Sequence, residues 1–146
     1  MRLLAGVLIL VMLTAATYQG IQPGKWETII TTESVDIPGP MAEMFKKTRG
    51  QTTRSTVCLT AEQAAKGPQG AIGASKTCRI RHQTAAGGQF SAQMVCEQGG
   101  RRSVSTTEGI YTATTFDGKT RIVVDAGTGM TMRASIISRR LGACGK

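Results

Sequence analysis

The sequence predicts an all-β fold: a single antiparallel, mostly up-and-down sheet of about seven strands, curled into a barrel or half-barrel and carrying one short helix. Three observations predict it. Short segments rich in Thr, Val and Ile alternate apolar and polar residues, the period of a half-buried strand. Eighteen glycines are many for this length and suit a sheet with tight turns, among them the pairs Gly87-Gly88 and Gly99-Gly100. Cys78 and Cys96 lie symmetrically about one such break, the pattern of a hairpin with opposed thiols.

The elements follow in chain order. Arg2 precedes an apolar run, Leu3 to Leu13, and Thr14-Ala15-Ala16 supplies small residues for a cleavage site. Residues 1–16 therefore read as a secretory signal peptide, and residues 17–146 as a single β domain. The competing reading is a retained N-terminal anchor, although the run is shorter than the ~20 residues of a membrane span. After cleavage no transmembrane segment is expected. Gln22-Pro23-Gly24 is a turn, and Lys25 to Thr32 the first strand. Residues 35–50 hold two prolines and two glycines and read as a long loop or flap. Within it Met41, Met44 and Phe45 have the spacing of one helical turn. Gln51 to Leu59 is a second strand. Thr60 then forms a capping box with Gln63, and Gly67-Pro68 stops the short helix.

Residues 76–84 and 89–97 form a hairpin about Ala85-Ala86-Gly87-Gly88. Setting Cys78 opposite Cys96 sets Ile80 opposite Met94, His82 opposite Ala92 and Thr84 opposite Phe90, all on one face. Arg79, Arg81, Gln83, Ser91 and Gln93 fall on the other. That register predicts a Cys78–Cys96 disulfide and leaves Cys58 to pair with Cys144. Zinc is excluded by the cysteine spacing and the single histidine. Beyond Gly99-Gly100, Arg102 to Phe116 reads as a long strand broken at Gly109. Asp117-Gly118 reads as a type I′ turn that puts Tyr111, Ala113, Ile122 and Val124 on one face. Gly127-Thr128-Gly129 turns into the last strand, where Met130, Met132, Ala134 and Ile136 share a face.

The order of the anchors adds a resemblance. Pro23-Gly24-Lys25-Trp26-Glu27 starts the first strand and Cys58-Leu59-Thr60 leads into the helix. The Cys78…Cys96 hairpin follows, and Arg140-Leu141-Gly142-Ala143-Cys144 closes the chain. Together these resemble the bacterial domain-of-unknown-function family 3617 (DUF3617), exported proteins of the proteobacterial envelope. The resemblance covers nearly all of residues 17–146. It implies export to the periplasm and this architecture, and it brings no established activity. More loosely, Gly24-x-Trp26 and Arg139-Arg140 are similar to the lipocalin anchor, in which a Trp packs under an Arg; the lipocalin Thr-Asp-Tyr motif is missing. This is shared barrel logic rather than kinship.

The chemistry of the side chains points away from catalysis. His82 is the one imidazole, expected to be a rim histidine rather than a general base, and a Cys–His dyad is unavailable once the cysteines pair. No two carboxylates fall close enough in register for a glycosidase couple. Gly67-Pro68-Gln69-Gly70 lacks the Lys and Ser/Thr of a phosphate loop. Met41 and Met44 are a thin set for Cu(I) and read as core filling or a sticky flap. No enzyme, cofactor or metal is expected. The formal charge of +9 favours anionic encounters, but the basic pairs Lys46-Lys47, Arg101-Arg102 and Arg139-Arg140 are scattered and have no interleaved aromatics, so no nucleic-acid partner is expected.

Two non-enzymatic readings remain. In the first, the curved sheet binds an apolar or amphipathic ligand in a trough lined by Ile80, Phe90, Met94, Tyr111 and Met132, with the Met41–Phe45 flap as its cover; an anionic lipid or an apolar molecule is the expected partner. In the second, the chain is an interaction or structural module of the periplasm that uses the 35–50 flap. Trp26 is the structural anchor, either a ring at the mouth of the cup or a plug beneath Arg139 or Arg140 held by a cation–π contact.

Overall fold

The computed structural model describes residues 20–72, 76–125 and 129–145. The signal-peptide reading of residues 1–16 and the turn at residues 127–128 lie outside the described residues. The chain runs β1 (Gly24–Asp36), α1 (Ala42–Lys46), β2 (Thr52–Leu59), α2 (Ala61–Ala65) and α3 (Pro68–Ile72). It continues with β3 (Cys78–Ala86), β4 (Gln89–Gln98), β5 (Arg101–Tyr111), β6 (Thr115–Asp125) and β7 (Met130–Gly142).

All seven strands belong to one antiparallel sheet in the order β2-β1-β7-β6-β5-β4-β3. Strands β3 to β7 form an up-and-down meander, β1 docks on β7, and β2 lies outside β1. The sheet does not close: β2 and β3 are opposite edges, giving a curled half-barrel. The consecutive strands β2 and β3 are thus the two most distant in the sheet. Residues 60–77, which join them, must travel from one edge to the other, and α2 and α3 lie on that path.

The crossover packs against the inner face of the sheet. Ala64 of α2, fully buried, joins a core made by Ile21, Trp26, Leu59, Phe90, Tyr111 and Phe116, and Ala71 of α3 packs against it. The capping box of α2 forms as expected: Thr60 Oγ1 accepts from the Gln63 amide at 3.2 Å and the Gln63 side chain accepts from the Thr60 amide at 2.9 Å. Gly67, at φ +74°, ends that turn. Pro68, however, does not end the helical region. It opens α3, because proline lacks only a donor that the first helical position leaves unused. The two helices touch at Gly70, where a Cβ would lie 1.9 Å from the Gln63 carbonyl oxygen.

The β3–β4 hairpin combines two registers. Cys78 faces Cys96 and Ile80 faces Met94, as expected. The turn is the two-residue Gly87-Gly88, with φ +59° and +77°, the left-handed values of a type I′ turn. That turn fixes Ala86 opposite Gln89, a register one residue away from the one the cysteines require. A bulge between Ile80 and His82 absorbs the difference. Beyond it His82 faces Gln93 and Thr84 faces Ser91, on the outer face. Gln83 and Ala85 take the inner positions opposite Ala92 and Phe90. The expected pairs His82–Ala92 and Thr84–Phe90 are therefore corrected, and His82 is exposed.

Asp117-Gly118 is not a turn. Strand β5 runs unbroken through Gly109, and the chain reverses at residues 112–114. There Thr112 Oγ1 accepts from the amides of Thr114 (3.2 Å) and Thr115 (3.1 Å). Gly118 instead faces Gly109 across the two strands. A Cβ at Gly109 would lie 2.4 Å from the Asp117 carbonyl oxygen, and one at Gly118 would lie 2.6 Å from that of Glu108 and 2.7 Å from Cζ of Phe116. Glycine is needed there for the close approach of two backbones under an aromatic ring, not for a turn. The observed register differs from the expected one by an even number of residues, so Tyr111, Ile122 and Val124 still share the inner face. Ala113 falls in the turn.

Both expected disulfides are present, Cys78–Cys96 with Cα atoms 4.0 Å apart and Cys58–Cys144 with Cα atoms 5.8 Å apart. The Glu97 amide donates to the Thr77 carbonyl at 2.8 Å, which makes Cys78–Cys96 a non-hydrogen-bonded pair, the closer of the two antiparallel spacings.

Candidate functional site

The inner face of the half-barrel is built by strand alternation. On it Val57, Trp26 and Arg140 stand side by side across β2, β1 and β7. The next rows bring in Thr28, Ser138, Phe116 and Tyr111, then Ile30, Ile136, Gly118, Gly109 and Phe90. Phe90 and Phe116 meet edge to face, with ring centroids 5.7 Å apart, above the floor left low by the two glycines. Further along come Thr120, Thr107 and Ala92, then Met132, Ile122, Ser105, Met94 and Ile80. The face is apolar with a stripe of small hydroxyls.

Helices α2 and α3 lie across this face and leave a cavity on either side. One, of about 350 Å³, is bounded by Ile80, Ala92 and Met94 of the sheet and by Gln63, Lys66 and Gln69 of the crossover. The other, of about 290 Å³, is bounded by Trp26, Ile30, Val57, Phe116 and Ile136, with Pro68 and Ala71 of α3 as its cover. Thr107, near the middle of the sheet, borders both. Its hydroxyl donates to Thr120 Oγ1 at 3.0 Å, which satisfies a polar group buried on an apolar face. Gln69 Oε1 is buried with no hydrogen-bond partner among the described residues.

Trp26 is 1% exposed and forms a wall of the smaller cavity, its Nε1 donating to the Gln22 carbonyl at 2.9 Å. It is a buried anchor rather than a ring at an open mouth. Arg140 shares its register position, and the Arg140 Nε donates to the Pro23 carbonyl at 2.7 Å. Gly24, at φ +132°, lets this closure form: a Cβ there would lie 2.9 Å from Arg140 Nε. Arg139 does not take part, because alternation sends it to the outer face. There it forks onto Glu27 Oε2 (3.1 and 2.9 Å), while Arg54 Nη1 reaches Glu27 Oε1 at 3.0 Å. The hydrogen bond from Arg139, then the charges of Arg54 and Arg139, hold the largely buried Glu27 carboxyl below its ordinary range against the opposing effect of burial.

The expected trough residues divide into three groups. Ile80 and Met94 line the larger cavity; Phe90 and Tyr111 are buried core beneath the crossover. Met132 lies on the same face, opposite Ile122 and Val35. Met41 and Phe45 do not cover Met94 or Tyr111. Helix α1 packs on β1, the half-buried Phe45 lining a shallow groove with Val35 and Ile37, while Met41 and Met44 are 51% and 71% exposed. The cover is the α2–α3 crossover. Its signal was in the sequence: Cys58 and Cys78 bracket residues 59–77, and their disulfides tie each end of that segment to a different edge of the sheet.

Among the described residues no three His, Cys, Asp or Glu side chains are grouped to hold a metal ion, and no helix is long and apolar enough to cross a membrane. Neither the curated proteins nor the solved structures contain a match to this chain. One family model does match, described as a protein of unknown function (DUF3617), over residues 21–144. The match takes in β1 through the closing cysteine, so the chain belongs to the DUF3617 family.

Proposed function

We propose that this chain is a non-enzymatic, exported protein of the bacterial envelope that binds an apolar or amphipathic small molecule on the inner face of its half-barrel. One observation carries the reading. The apolar inner face is covered by a crossover that packs on the core through the small residues Ala64 and Ala71, and cavities of about 350 and 290 Å³ remain between crossover and sheet. Small-molecule sites are concave, mostly apolar and carry a few polar groups, and the larger of these cavities falls within their usual size. Two disulfides fit an oxidising compartment outside the cytoplasm. A second reading, an interaction module, is favoured by the exposed Met41, which precedes α1, and Met44 within it.

The test is titration of the oxidised protein with N-phenyl-1-naphthylamine, a neutral dye that brightens in apolar surroundings. Saturable enhancement by the wild type, lost in Met94→Asp and kept in Met44→Asp, supports the trough. Enhancement lost in Met44→Asp instead moves binding to α1, and no enhancement by the wild type removes the ligand reading.

A further inference from the structure

The two cavities differ in chemistry in a way that orients a ligand. The smaller is lined by Trp26, Ile30, Phe116 and Ile136 together with hydroxyls, and no charged residue borders it among the described residues. The larger has Lys66, Gln63 and Gln69 along its crossover side. Lys66 is the C-cap of α2, and its partner Glu62 is distant and exposed, with Nζ to Oε1 at 3.7 Å. Such a pair is weak and readily exchanged for another anion. Thr107, near the middle of the sheet, is the wall common to both cavities, and residues of α3 border each of them. The charged and amide side chains stand in the larger cavity, and the smaller one has hydroxyls as its polar side chains.

We infer that the two cavities are one channel beneath α3, and that it takes a single-chain amphiphile with an anionic head. The head lies at Lys66, at the end of the channel that Gln63 and Gln69 also line. The chain passes Thr107 and ends among Ile30, Phe116 and Ile136. This deepens the ligand-trough reading above and rests on it. A carboxylate and a phosphate monoester share the required chemistry, a compact anion on one alkyl chain. Polar groups at one end set orientation, and the apolar area of the chain supplies most of the affinity.

The experiment is calorimetric titration of the oxidised protein with dodecanoate, dodecyl phosphate, dodecanol and hexanoate. The variants are Lys66→Gln, at an exposed position, and Ile30→Trp, which narrows the smaller cavity from a residue 37% exposed. The wild type is expected to bind both dodecyl anions more tightly than dodecanol, and the tighter of the two identifies the head. Lys66→Gln is expected to weaken the anions by about fivefold, as for an exposed ion pair, and to leave dodecanol unchanged. Ile30→Trp is expected to weaken dodecanoate and leave hexanoate unchanged. Equal loss of dodecanol and anions in Lys66→Gln, or no loss at all, overturns the head position. Unchanged dodecanoate binding by Ile30→Trp overturns the single channel. In both cases the neutral dye still binds, whereas loss of dye binding by the wild type removes the trough itself.

Discussion

Removing the disulfides one at a time separates two effects on the same sheet. The pairs Cys58→Ala/Cys144→Ala and Cys78→Ala/Cys96→Ala each delete one bridge and leave no free thiol. The bridges span sequence separations of 86 and 18. In the loop-entropy account, the bridge constrains the unfolded chain by an amount that grows with the logarithm of the loop. The longer bridge is then worth about 4.6 kcal/mol and the shorter about 3.2 kcal/mol. For a domain of this length, unfolding entropy converts these losses into drops in Tm of roughly 17 and 12 °C. Differential scanning calorimetry at one pH measures both. Urea melts add the slope m, which should rise in each variant as the unfolded chain expands. The local geometry argues the other way: Cys78–Cys96 pins β3, an edge strand held on one side only, whereas Cys144 lies beyond the end of β7. A larger Tm loss for the Cys78/Cys96 variant would refute the entropic ranking and place the stabilisation in native-state edge protection.

Two further outcomes follow from single side chains. Gly118→Ala should cost about 2–4 kcal/mol in urea unfolding, because the new methyl meets the Glu108 carbonyl and the Phe116 ring; a loss below about 0.5 kcal/mol would show that the floor under Phe116 can widen. Glu27, whose carboxyl is held below its ordinary range in the folded protein, contributes stability that is fully present above its unfolded pKa and is lost as the pH falls through its lower folded value. Acid titration of Tm should therefore show a steeper decline in the wild type than in Glu27→Gln, and equal slopes would remove Glu27 from the acid response.

What the sequence revealed and what it hid follow from the range of each signal. Strand faces were legible because alternation is local: Ile80, Met94, Tyr111 and Ile122 fall on the inner face even though one turn was misplaced. The cysteine register near Cys78 was legible for the same reason. The bulge at residue 81 was not, since it arises from a conflict between a turn and a disulfide, each of which looks regular alone. Asp117-Gly118 misled because a glycine needed for a close backbone approach has the same spelling as a turn glycine. The apolar content of residues 41–45 gives them the look of a cover for the trough. The cover belongs to residues 60–72, which are richer in alanine and glycine and acquire their position only from the order of the strands.

The strand order also sets a schedule for folding. Strands β3 to β7 pair with neighbours made a few residues earlier, so the meander and Cys78–Cys96 can form as soon as that stretch is free. Strand β1 has only β2 beside it until β7 arrives, and their register joins Ile30 to Ile136 across nearly the whole chain. Docking β1 onto β7 is therefore the step expected to be slow, since a long loop must close before any contact rewards it. The same step draws α2 and α3 across the inner face and brings Cys58 to Cys144. An oxidising catalyst that reached Cys58 early would find Cys78 or Cys96 in place of Cys144. The order in which the two bridges form thus reports whether the half-barrel has been assembled, and a trapped Cys58–Cys78 species would mark the chain caught before its ends had met.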